Sequence, residues 1–81
     1  MSYFVYMLVC EDRSFYLGTT NDIAKRFVAH LSGKGASYTR SHKPIKIVYQ
    51  EQLSDKSSAL KREHALKQLT HTQKQALTSS Q

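Results

Sequence analysis

Apolar positions fall along this chain in one solid block and several periodic ones. From Tyr3 to Cys10 the sequence YFVYMLVC is apolar throughout and rich in aromatic and β-branched residues. Such a run predicts a strand covered on both faces, and so central in its sheet. Glu11, Asp12 and Arg13 break it, and Ser14 to Thr20, SFYLGTT, reads as a second strand. So short a connection predicts an antiparallel hairpin. Thr20, Asn21 and Asp22 suit an N-cap and first turn. The helix they open sets Ile23, Phe27 and Leu31 in one apolar stripe, and Gly33 stops it. Residues 33–44, GKGASYTRSHKP, read as a loop long enough to be functional. Ile45 to Leu53 alternates at its start and reads as a third strand. Ser54 and Asp55 open a second helix, to about Leu69. Thr70 and Gln73 have capping-box spacing for a short C-terminal helix, and the polar tail after Leu77 is expected to fray.

The order ββαβα with a final helical piece predicts an α+β fold. At 81 residues the chain has room for one core, so residues 1–81 are expected to form one domain centred on about 3–69. One cysteine, Cys10, excludes an internal disulfide framework and a thiolate zinc cluster. The apolar run at the start spans 8 residues, too few to cross a bilayer, and lacks the flanks of a signal peptide. The expected setting is a reducing cytoplasm, with no membrane partner.

Charge sharpens this picture by where it lies. The net charge is +6, and between Asp22 and Glu51 there is no acidic residue. That stretch holds Lys25, Arg26, Lys34, Arg40, Lys43 and Lys46, half of all the Lys and Arg, with His30 and His42. Mixed charges such as Lys61, Arg62, Glu63 and Lys67 describe a solvated helix face. A one-signed segment marks an anion-binding surface, and DNA or RNA is the expected polyanion.

Three spacings carry candidate chemistry. If the hairpin turn has an odd length centred on Asp12, Tyr6 faces Gly18, and Tyr6 and Tyr16 become diagonal neighbours on one face. Gly18 would then leave the Tyr6 phenol uncovered, with room for a ligand. An even-length turn would put the tyrosines on opposite faces. A pair that only packs is the plain alternative. On the first helix Arg26 and His30 stand at i and i+4, side by side. Arg can hold a phosphate with its fork and His can move a proton near neutral pH, unless both merely form a solvated flank. On the second helix Ala59, Leu60, Leu66 and Leu69 define an apolar stripe with Glu63 in its midst. A carboxylate there needs an ion-pair partner, such as Arg26, or a divalent cation, or else a place at the rim.

Taken together these residues resemble the GIY-YIG nuclease family, in its small single-domain bacterial branch. Phe4-Val5-Tyr6 is followed ten residues on by Tyr16-Leu17-Gly18. Then come Thr20, Asn21, Asp22, Arg26, His30, Gly33, Tyr38 and Thr39, with Glu63 on a later helix. Phe4 stands where the first triplet has a glycine, and no Asn follows Glu63 as it does in many larger members.

The resemblance implies a three-stranded antiparallel sheet, first strand central, flanked by helices. It implies an endonuclease that hydrolyses DNA phosphodiester bonds with a single Mg²⁺, or another divalent cation such as Mn²⁺. Tyr6 and Tyr16 line the active site, and one of them helps activate water. Arg26 contacts the scissile phosphate, His30 assists proton transfer, and Glu63 binds the metal. Gly18 and Gly33 serve turns. The expected mechanism uses Tyr6 as general base, helped by Tyr16 or His30. A free phenol titrates near 10, so Arg26 and the metal must lower it. The nucleic-acid surface is expected to span Lys25, Arg26, Lys34, Tyr38, Arg40, Lys43 and Lys46 together with the sheet face bearing Tyr6. Substrates in view are branched, flapped or damaged DNA, as in repair. Two alternatives stand beside this: a binding module of the same fold with little turnover, and a small structural protein that binds RNA or a partner. Oligomeric state stays open.

Overall fold

The computed structural model describes residues 2–79. Its strands are β1 (Tyr3–Cys10), β2 (Phe15–Thr20) and β3 (Pro44–Leu53). Its helices are α1 (Ile23–Leu31), α2 (Ser37–Ser41), α3 (Lys56–Lys67) and α4 (His71–Thr78). The strands form one antiparallel sheet in the order β2-β1-β3, so the solid apolar run is central as expected. The architecture is α+β.

The hairpin takes the odd-turn register. Tyr6 pairs with Gly18 and Leu8 with Tyr16. Asp12 fixes the turn, its carboxylate accepting from the Ser14 backbone N–H at 3.1 Å and from the Ser14 hydroxyl at 2.6 Å. Arg13 closes it in the left-handed region, at φ 72°.

Strand alternation then sorts the side chains onto two faces. Val5, Met7 and Leu17 share one face, where they pack against Ala59 and Leu66 of α3. Tyr6, Leu8, Tyr16 and Gly18 share the other, against which α1 sets His30. On β3 the register slips between Met7 and Leu8 and again between Val9 and Cys10. These bulges bend the strand where it approaches Pro44.

The helix starts are built as the sequence predicts. Asp22 accepts from Lys25 N at 3.1 Å, and Asp55 from Ser58 N at 2.7 Å. Thr70 and Gln73 complete a capping box at the start of α4. That helix runs through Thr78 with Ser79 as its C-cap, and the rest of the expected frayed tail, residues 80–81, lies outside the described residues.

Three expectations are corrected. Residues 33–44 are not all loop, because α2 occupies Ser37–Ser41. This short helix has no side-chain N-cap, and its one buried residue is Thr39. Its support is tertiary, which local sequence does not display. On α1 the inward residue is His30, while Leu31 at the end of the expected stripe is exposed. On α3 Leu60 is exposed and Ala59 and Leu66 alone are fully buried. Both helices meet the sheet along a narrower line than their apolar residues offer.

Candidate active site

Tyr6 projects from β1, Tyr16 from β2, Arg26 and His30 from α1, and Thr39 from α2. The structure gathers them on the sheet face opposite the apolar core. Tyr6 and Tyr16 ring centroids are 6.4 Å apart, and each packs on the His30 ring, at 5.8 and 5.0 Å. The plain alternative of a solvated helix flank is therefore overturned, since His30 is 1% exposed.

Tyr6 Oη lies 2.7 Å from His30 Nε2, and His30 Nδ1 lies 2.8 Å from Thr39 Oγ1. The expectation of an uncovered phenol is corrected too: Tyr6 is 2% exposed. Its ring fills the space above Gly18, where an added Cβ would sit 2.5 Å from the phenol oxygen. The glycine makes room for Tyr6 itself rather than for a ligand. Gly35 does the same for His30, since a Cβ there would overlap the ring. Gly33 adopts φ 80°, a turn that a side chain would strain.

Burial sets the electrostatics. Desolvation pushes the Tyr6 pKa up to about 12, against the opposing pull of Arg26. The expected lowering by Arg26 is thus outweighed in the free protein. The Glu63 charge adds to the rise, so that carboxylate acts on the phenol. Burial, then the Arg26 charge, holds His30 below its ordinary value. A neutral imidazole beside a protonated phenol is the resting state these shifts favour.

Arg26 does not pair with Glu63. Its Nη2 donates to the Gly35 carbonyl at 2.9 Å, which ties α1 to the loop before α2. Glu63 instead meets Lys67, one turn along α3, at 3.2 Å. Its side chain is 18% exposed, at the rim rather than in the core. Among the described residues no three His, Cys, Asp or Glu side chains gather into a metal cage. A single hard-oxygen donor at a rim fits Mg²⁺ or Mn²⁺, which keep several waters and take phosphate oxygens as partners. Glu63 meets that description, and its pairing partner Lys67 is half exposed.

Outward from Tyr16 runs an aromatic stack that sequence spacing did not reveal. Tyr38 lies 5.9 Å from Tyr16, and His42 stacks on Tyr38 at 4.0 Å with the planes 6° apart. The His42 ring also sits 3.8 Å from Asp12 of the hairpin turn. Beside this stack Gly33, Lys34, Gly35, Ala36 and Arg40 line a shallow groove of about 380 Å³ with no acidic residue. Lys25 and Lys43 are exposed. Lys46 is not brought to this face. It pairs with Val9 and lines a larger groove, about 610 Å³, between β3 and α4. That groove contains none of Tyr6, Tyr16, Arg26, His30 or Glu63.

Residues 2–76 match the GIY-YIG catalytic domain. The chain belongs to the GIY-YIG family. It is 51% identical over 75 residues to a UPF0213 protein of Cupriavidus necator, covering 93% of this chain and 82% of that one. A UPF0213 protein of Desulfotalea psychrophila is 46% identical over 80 residues, covering 98% and 73%. Among solved structures, the solution NMR structure of a UPF0213 protein from Bacillus halodurans is 38% identical with a TM-score of 0.61, covering 100% and 86%. That of a protein from E. faecalis is 37% identical with a TM-score of 0.65, covering 99% and 85%. The GIY-YIG family is one of nucleases that generally use a divalent metal, and their substrate is nucleic acid. No helix among the described residues is long and apolar enough to cross a membrane.

Proposed function

We propose that this chain is an endonuclease that hydrolyses phosphodiester bonds of DNA, with Mg²⁺ or Mn²⁺ held by Glu63. What supports the reading is the convergence of Tyr6, Tyr16, Arg26 and His30 from three separate elements, with Glu63 bearing on Tyr6 from a fourth. Packing alone does not require a phenol, an imidazole and a guanidinium together, with a carboxylate whose charge reaches the phenol. A divalent cation at Glu63 would supply positive charge to the phosphate and its leaving oxygen. Arg26 would hold the non-bridging oxygens with its fork. Tyr6 would take the proton of the attacking water, with His30 as its partner. The Tyr38 ring and the Lys34 and Arg40 side chains would seat the flanking strand.

A second reading, a binding module with little turnover, draws on one observation. The Tyr6 phenol is pushed up to about 12 and holds its proton tightly. Assays on duplex, nicked, flapped, branched and single-stranded DNA, and on RNA, separate the two. Cleavage in Mg²⁺ or Mn²⁺ that EDTA stops supports the enzyme. Tight binding without cleavage on every substrate supports the module.

A further inference from the structure

The line from Tyr6 through His30 to Thr39 has protons that can be counted. Thr39 is 3% exposed, and its Oγ1 donates to the Ala36 carbonyl at 3.1 Å, three residues back. Helical threonine hydroxyls commonly give their proton to such a carbonyl. A carbonyl oxygen only accepts, so this end of the line has one polarity. With its own proton committed to Ala36, Thr39 Oγ1 accepts from His30 Nδ1, 2.8 Å away. The single proton of the neutral ring then sits on Nδ1. That leaves Nε2 with a lone pair, which accepts from the Tyr6 hydroxyl at 2.7 Å.

The reverse polarity fails at the other end. An Nε2–H would donate to the Tyr6 oxygen, and the phenol proton would need another acceptor. Among the described residues His30 is the one side chain hydrogen-bonded to that buried hydroxyl that can accept its proton. Arg26, which also bears on the phenol, has only donors.

We infer that Thr39 is a positioning residue: through the Ala36 carbonyl it holds His30 in the Nδ1–H tautomer and so keeps Nε2 as the acceptor for the Tyr6 proton. This gives α2 its purpose. The helix has five residues and no side-chain N-cap, yet it buries Thr39 against the ring. Gly35 presses its backbone on the same ring from the preceding loop.

The catalytic consequence rests on the endonuclease reading, whereas the tautomer does not. In that reading the Tyr6 Oη–H bond breaks and an Nε2–H bond forms, giving a phenolate beside an imidazolium. The phenolate takes a proton from the attacking water as the water oxygen bonds phosphorus. The bond from phosphorus to the leaving oxygen breaks with its electron pair, and that oxygen takes a proton from solvent. His30 returns its proton to solvent.

Nitrogen-15 NMR of the His30 ring reads the tautomer in the full chain without substrate. The expected wild-type spectrum at pH 7 has Nδ1 protonated and Nε2 bare. Thr39→Val keeps the shape and removes the hydroxyl. The ring should then lose its preference for Nδ1–H, and DNA turnover should fall by about a hundredfold. Thr39→Ser should restore both. A wild-type ring protonated on Nε2, or a Thr39→Val ring with an unchanged tautomer, would overturn the proposal. Should Thr39→Val not fold, the wild-type and Thr39→Ser spectra still decide it. If the wild type cuts no nucleic acid, the endonuclease reading fails, and the ring nitrogens still report whether Thr39 positions His30.

Discussion

The two faces of the sheet are closed by different chemistry. Under α3, Val5, Met7, Leu17, Ala59 and Leu66 meet as apolar surfaces. Under α1 and α2, Tyr6, His30 and Thr39 are buried to a similar degree but meet through hydrogen bonds. Apolar burial is non-directional and tolerates repacking. A buried polar line does not, because deleting one member leaves its neighbour desolvated and unpaired. The first face supplies cohesion, and the second holds groups that can pass protons. The difference is open to measurement because each face should respond to a different kind of change.

The largest stability effect belongs to the apolar face. Leu66→Ala should cost about 2–5 kcal/mol, read by urea denaturation. That is a large share of the stability of so small a domain. Where the variant is still folded, its metal-dependent cleavage should match the wild type. A variant that folds normally but cuts poorly would show that the two faces are not separable.

Arg26→Ala should do the opposite. Its loss removes one hydrogen bond to the Gly35 carbonyl, worth about 1 kcal/mol of stability. Cleavage should fall about a hundredfold, since losing charge stabilisation in the transition state costs on the order of 3 kcal/mol. Arg26→Lys should recover only part, because an ammonium has no planar fork. Unchanged turnover in Arg26→Ala would remove its phosphate role.

The contrast also explains what the sequence displays and what it hides. The apolar face follows from periodicity: the solid run became the central strand, and Ala59 and Leu66 lie where the helix stripe puts them. The pairing of Tyr6 with Gly18 followed from one assumption about turn length. The polar face was legible only as residue types. Arg26 and His30 stood out by spacing, but nothing local said that His30 would be buried and Leu31 exposed. A polar side chain enters a core when partners meet it there, and those partners come from distant elements. Thr39 shows this most plainly, lying in a segment whose composition reads as loop. Tyr38 and His42 form their stack only because α2 turns them together.

Acid should separate the faces at a smaller scale. His30 is held below its ordinary value by burial and by Arg26, so the unfolded chain binds its proton first as pH falls. The stability this group contributes is fully present above about pH 6.5, the unfolded value, and is lost as pH falls through the lower folded value. Asp12 and Asp55 are also held low, by hydrogen bonds from Ser14 and Ser58, but their loss begins only near the carboxylate range. Melting curves between pH 7 and 5 should therefore show a decline that His30→Gln flattens and Leu66→Ala keeps. A wild-type curve with no decline in that window would mean that the folded His30 takes its proton as readily as the unfolded one.

Glu63→Gln should move stability least and bear most directly on the metal. The carboxylate sits at the rim with Lys67 at i+4, and such pairs are worth only a few tenths of a kcal/mol when one partner is half exposed. Replacing it by the neutral amide should therefore shift the melting temperature of the metal-free protein by little. Glu63 is also a carboxylate whose charge acts on the Tyr6 phenol, so the amide removes a hard anionic donor from the candidate site. Excess Mg²⁺ should raise the wild-type melting temperature, because an ion bound to the native state alone stabilises it by mass action. The same excess should leave Glu63→Gln unmoved and its cleavage abolished. A structural carboxylate predicts the reverse pattern: a variant weakened by several kcal/mol, beside a wild type whose melting ignores the cation. That pair of results would leave Arg26 and His30 to account for any chemistry at this face without an ion at Glu63.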